Sequence, residues 1–202
     1  MKKSVKALLL VMCAIVLVVA TVFTTLAYLQ DATQTITNTF TVGNVDIKLD
    51  EADVDANGDL VGTIETRTEE SQSYKLIPGK EYTKDPTIRV QNGSESSWVF
   101  AKIESSLPNN IVTGFAIASG WTLLPDSGEG LNAVYYREYE GTNADNYKVF
   151  AADTFTVNTG LTNEQIADAT GKTIKVTGYA IQKDNGIADA VAAWAIVSAP
   201  QA

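Results

Sequence analysis

Apolar residues recur at every second position in several short runs of this chain, the period of a half-buried β-strand. The alternation is clear at 86–94 ("PTIRVQNGS"), 97–105 ("SWVFAKIES"), 132–140 ("NAVYYREYE"), 147–157 ("YKVFAADTFTV") and 172–182 ("KTIKVTGYAIQ"). A further strand is expected at 115–124 ("FAIASGWTLL"), and a weaker run covers 60–68. In 35–49 ("TITNTFTVGNVDIKL") two short strands are predicted, joined by a bend at Gly43-Asn44, where the parity reverses. Asn92-Gly93 reads as a hairpin turn before the strand at 97, and Pro78-Gly79 as a second turn. In 97–105, Trp98 and Phe100 share one face, while Val99, Ala101 and Ile103 share the other.

Two segments change period. At 162–170 ("LTNEQIADAT" from Leu161), Thr162 and Gln165 have capping-box spacing and Gly171 stops a short helix. At 184–199 a helix is predicted with Ile187, Val191, Trp194 and Val197 on one face, capped by Asp184 or Asn185. The expected fold is therefore all-β, a jelly-roll-like β-sandwich with one or two short peripheral helices.

The first 27 residues follow neither period. Lys2, Lys3 and Lys6 precede the uncharged run Ala7 to Ala27. A basic start, an apolar centre and small residues at Thr25 and Ala27 predict a secretory signal peptide cleaved after Ala27. An uncleaved anchor is the competing reading, since about 20 apolar residues span a bilayer. Residues 28–202 are expected to form one domain, secreted and without a stable membrane anchor.

Cleavage removes three lysines and no acid, so the net charge moves from −9 to −12. Such acidity argues against nucleic acid as a partner. The sequence has no His, and its single Cys, Cys13, lies in the leader. Ser-His-Asp, Cys-His and His-ligated zinc chemistry are excluded for the mature chain alone, as is a disulfide. No enzyme activity is expected and no catalytic residue is nominated. A hydrolase using carboxylates or a bound metal is the least favoured reading.

Two groups of residues carry candidate binding chemistry. "DVDANGDL" (53–60) places Asp53, Asp55, Asn57 and Asp59 at alternate positions with Gly58 sixth, the start of an EF-hand-like calcium loop. The twelfth position is Ile64, so the bidentate ligand is missing, and a solvated acidic turn competes with a weak calcium site. No other cofactor is expected. Trp98, Trp121 and Trp194, with Tyr135 and Tyr136, could form a sugar-binding surface or simply pack the core.

Three stretches also carry a resemblance. "TLAYLQD" with "TITNTFTVGNVDIKLDE", then "LIPGKEYTKDPTIRVQNGSESSWVFAKI", then "GYAIQKDNGIADAVAAWA", in that order, resemble the TasA/camelysin family of exported proteins. The resemblance covers roughly half of the mature chain and none of 115–170. It implies a jelly-roll fold and removal of the leader by a SipW-type signal peptidase. It also implies assembly into cell-surface or biofilm-matrix fibres, in which the N-terminal strand of one subunit completes the sheet of the next. Camelysin's casein-cleaving metalloprotease activity is not carried over, because this chain lacks His and any HExxH helix. The partners implied are further copies of the chain, a possible second matrix or fibre-starting protein, and the signal peptidase during export. The donor strand is expected at 28–42, with Ala32, Ile36, Phe40 and Val42 on its buried face. An ordinary edge strand is the competing reading. A monomeric adhesive or carbohydrate-binding module is the alternative function.

Overall fold

A computed structural model of the chain describes residues 5, 11–16, 44–183 and 186–199. The signal-cleavage residues Thr25 and Ala27 and the expected donor strand 28–42 lie outside the described residues. Residues 1–41 and 42–202 form two compact units. Of the first, residues 11–16 are helical. Among the described residues no helix is long and apolar enough to cross a membrane.

The second unit is all-β. Its described strands are β1 (Ile47–Ala52), β2 (Arg67–Thr68), β3 (Glu81–Thr83), β4 (Thr87–Val90), β5 (Ser97–Ser105), β6 (Val112–Thr113), β7 (Thr122–Leu123), β8 (Asn132–Tyr139), β9 (Asp145–Lys148), β10 (Thr154–Val157) and β11 (Ile174–Gln182). Two short helices accompany them, α1 (Asn163–Ala169) and α2 (Ala190–Val197). The strands form three antiparallel sheets in the orders β2-β1-β4-β9, β11-β5-β8-β7 and β3-β10-β6.

The two four-stranded sheets pack face to face. Ile88, Val90 and Tyr147 from one meet Val99, Ala101, Ile103 and Tyr135 from the other. Gly178 of β11 allows a close approach there: a Cβ at this position would lie 3.3 Å from Cδ1 of Ile88. The second face of β5 is buried too. Trp98 and Phe100 pack under α2, whose Ala190 and Ala193 touch the sheet. Trp194 meets Phe100 at 5.3 Å and stands edge-on to Tyr179 at 5.1 Å between ring centres. The division of β5 into two apolar faces is the one predicted. A third cluster, Tyr82, Phe155 and Val157, holds the small sheet.

Several elements differ from the expectation. The Asn92-Gly93 turn closes no hairpin, because β4 pairs with β1 and β9 while β5 pairs with β11 and β8. The turn is held by the approach to β1: the N–H of Gln91 donates to the Asp46 carbonyl and that of Glu95 to the Asn44 carbonyl, both at 2.9 Å. The chain thereby crosses from one sheet to the other. The run 147–157 is two strands rather than one; Val149 and Phe150 are buried between them, and Lys148 binds Asp153 across the bend at 2.6 Å. In 60–68 only Arg67 and Thr68 are strand, since Gly62 has φ +95° and a turn runs from Thr63 to Thr66. In 115–124 only Thr122 and Leu123 pair as a strand, after Gly120 at φ +86°.

The capping box of α1 forms as predicted. Gln165 N–H donates to Oγ1 of Thr162, and Thr162 N–H donates to Oε1 of Gln165. The helix α2 starts later than expected, at an Asp189 cap whose Oδ1 accepts from the Ala192 N–H at 2.9 Å. Ile187, Trp194 and Val197 pack on the cluster beside the buried Ala190 and Ala193, as expected, while Val191 is exposed.

Candidate functional site

The strand β11 is the longest at a sheet border, and among the described residues it is the last on its side of its sheet. Beside its first half lies a cleft of about 940 Å³. One wall is Ile174 to Val176 with Ile166 and Ala169 of α1. The opposite wall is the end of β1 and the segment 68–76. Leu107, Val112, Phe115 and Phe155 form an apolar floor. A second cleft of about 780 Å³ shares Leu107, Val112 and Phe115 and continues toward Glu129 and Asn132.

The far wall is built from side chains that replace a strand ladder. Residues 71–76 alternate between exposed and half-buried, with Gln72, Tyr74 and Leu76 turned inward. Gln72 stands in for a neighbouring strand: its Oε1 accepts from the Val54 N–H at 2.6 Å, and its Nε2 donates to the Ala52 carbonyl at 2.9 Å. Tyr74 donates to the Thr83 carbonyl at 3.1 Å and meets Phe155 edge-on at 5.4 Å. Burial pushes the Tyr74 phenol well above its ordinary range, and the charges of Glu51 and Asp85 add to the shift. The ammonium of Lys84 binds Glu51 at 2.9 Å and lies 5.7 Å from the Tyr74 ring centre.

A buried ion network anchors that wall. The Asp85 side chain is 1% exposed and binds Nη1 of Arg67. Its Oδ1 also accepts from the Ala52 N–H at 2.7 Å. Arg67 Nε donates to Asp50 at 2.9 Å, and Arg89 Nε donates to the other oxygen of Asp50 at 2.7 Å. Burial opposes the charge on Arg67, but its bonds to Asp85 and Asp50 outweigh that and raise its pKa. The network ties β1, β2 and the entrance of β4 together at one point. It involves few exposed groups, so water screens it weakly.

The acidic loop 53–60, the expected calcium site, is held by its own hydrogen bonds. Among the described residues no three acidic groups converge as an ion site. The Asp55 carboxylate instead closes its own turn, accepting from the N–H groups of Asn57 at 2.8 Å and Asp59 at 3.1 Å. These bonds, that from Asp59 first, hold its pKa below the ordinary carboxylate value. Asp59 lies 3.4 Å from the Lys80 ammonium, and the Asp53 N–H donates to the Thr66 carbonyl. Gly58 has φ +76°, and a Cβ there would fall 2.2 Å from Cδ1 of Tyr82, so the loop is packed against the small sheet.

The aromatic residues do not form one surface either. Trp98, Trp194 and Tyr136 belong to the cluster under α2, and Tyr135 lies in the inner core. Trp121, half-buried, packs against that inner core edge-on to Tyr147, its Nε1 donating to the Lys148 carbonyl at 2.8 Å.

Sequence patterns did not point to the cleft. Its lining comes from segments far apart in the chain, and Phe115 and Phe155 read as ordinary strand residues. The alternation of Gln72, Tyr74 and Leu76 was the one legible signal. Compared with known protein families, curated proteins and solved structures, the chain matches none.

Proposed function

We propose that this protein is a secreted structural subunit of a cell-surface or biofilm-matrix fibre, a jelly-roll-like β-sandwich without enzymatic activity. Its subunits join when the N-terminal segment 28–42 of one copy adds to an open sheet border of the next. The observation that carries this reading is the cleft beside Ile174 to Val176, where a long border strand runs past an apolar floor. Such a border offers backbone N–H and C=O groups to an incoming strand. Ile36, Phe40 and Val42, with Ala32, recur at the parity that would face the floor. Burying three large side chains contributes about 1.5–3 kcal/mol each, and each ladder hydrogen bond roughly 0.5–1.5. The partners are then further copies of the chain, with a second matrix protein able to start the fibre. Because 28–42 becomes a free end only after cleavage behind Ala27, assembly waits for export.

The test is the mature chain lacking residues 28–42. It stays monomeric, loses stability, and regains it when a synthetic peptide of residues 28–42 is added. Phe40→Asp in the complete mature chain blocks fibre growth seen by negative-stain microscopy and leaves export intact. Normal fibres from Phe40→Asp overturn the strand-addition mechanism.

A further inference from the structure

The sequence holds three arginines, and two of them are locked into the Asp50–Asp85 network. The third, Arg137, has a different setting. It lies on β8 at the parity of Ala133, Tyr135 and Tyr139, so it enters the border of the inner core. Its Cζ stacks 3.7 Å from the ring centre of Tyr147 and lies 5.6 Å from that of Trp121. Gly120 admits the guanidinium, since a Cβ there would lie 3.2 Å from Nη2. The Nε is buried without a hydrogen-bond acceptor. No ion pair among the described residues includes Arg137.

That is unusual in a chain with 24 acidic residues against 15 basic ones. A half-buried cation loses water contacts, and aromatic faces compensate for only part of that loss. What is missing is an anion. The planar guanidinium fork matches a carboxylate in bidentate geometry better than any other side chain does. The surroundings narrow the choice of carboxylate. The indole of Trp121, fixed by its bond to Lys148, offers a flat apolar surface beside the fork. A rigid ring that carries a carboxylate can use both groups at once, as polar anchors and apolar walls do together in small-molecule sites.

We propose that Arg137, with Trp121 and Tyr147, binds a carboxylated sugar, a uronic acid unit of an acidic polysaccharide. The carboxylate lies on the terminal nitrogens of Arg137, and the pyranose ring lies against Trp121. Tyr147 supports the guanidinium from behind. This site is separate from the cleft beside β11 and does not depend on strand addition.

The experiment titrates the complete mature chain with trigalacturonic acid, the neutral galactose trisaccharide and a short aspartate-rich peptide. Binding is followed by calorimetry and by the NMR signals of Arg137 Nε–H and Trp121 Nε1–H. Expected are shifts of both signals with trigalacturonic acid, none with the neutral trisaccharide, and affinity that falls with added salt. Arg137→Lys keeps the charge and the stem but loses the fork, and should bind about tenfold or more weakly. The parent's own NMR signals keep the test valid if that variant folds poorly. Absence of shifts, equal binding of the neutral trisaccharide, equal or tighter binding of the peptide, or an unchanged affinity in folded Arg137→Lys each overturns the proposal.

Discussion

Replacing Arg67 with Met should destabilise the protein more than almost any other change near its surface. The side chain is only 15% exposed and makes bonds to Asp50, Asp85 and Thr87. Methionine fills much of the same volume, so packing changes little. What changes is that Asp85, 1% exposed, keeps only the Ala52 N–H for its Oδ1 and loses its counter-charge. Removing one partner of a buried ion pair costs about 3–5 kcal/mol. An exposed pair would cost roughly 0–1 kcal/mol. Against a total stability of about 5–15 kcal/mol, the first figure is a large fraction. At about 2–4 °C per kcal/mol for a domain of this size, the melting temperature should fall by roughly 6–20 °C. The assay is denaturant unfolding of the parent, Arg67→Met, Asp85→Asn and the double variant. Asn at 85 can still accept from the Ala52 N–H, so the double variant should be more stable than Arg67→Met alone. A loss below about 1 kcal/mol in Arg67→Met, or losses that simply add in the double variant, would refute the argument that the network is coupled and desolvated.

Tyr147 is pushed up to about 12 by burial, then by its hydrogen bond to Asp145 and that residue's charge, against the opposing charge of Arg137. A phenol whose folded pKa is raised contributes stability below the unfolded value near 10 and loses it as pH climbs toward the folded value. Unfolding midpoints should therefore drop between about pH 10 and 12, and Tyr147→Phe should flatten that drop. Gly58→Ala should cost at least about 1–2 kcal/mol in thermal unfolding, from the left-handed backbone alone, before the clash with Tyr82 is counted. Millimolar calcium should leave the melting temperature of the parent unchanged, and a rise that Asp55→Ala abolishes would identify the loop 53–60 as an ion site.

How far the chain could be read depended on what fixes each element. The strand β5 was legible to the residue because both its faces are buried and each carries its own apolar set. The strands β8 and β11 and the capping box of α1 were legible for similar local reasons. The pairs Arg67-Thr68, Val112-Thr113 and Thr122-Leu123 were not, since two residues carry no period and become strand only through a partner. Asn92-Gly93 shows the limit of turn chemistry. The dipeptide does make a turn, but contacts with Asn44 and Asp46, far back in the chain, decide that the turn leads into another sheet. The walls of the cleft share that difficulty. The role of Gln72 exists only because β4 pairs with β1 no further than Asp50, which leaves Ala52 and Val54 open on that side. The Arg67–Asp85 contact, likewise, has no sequence period to announce it.

The central strand has a further consequence. From Ser97 to Ala101 five successive side chains are buried, so an amino acid there is judged by the sandwich or by the helix layer, and never by water alone. A half-buried strand can accept drift at every other position. This stretch offers no such neutral positions, and a compensating change must come from residues on two different layers. Lys175 and Thr177 of β11 are under no comparable double constraint. A lineage of such chains would therefore be free to vary the surface it shows to partners while the strand beneath both layers stays nearly still.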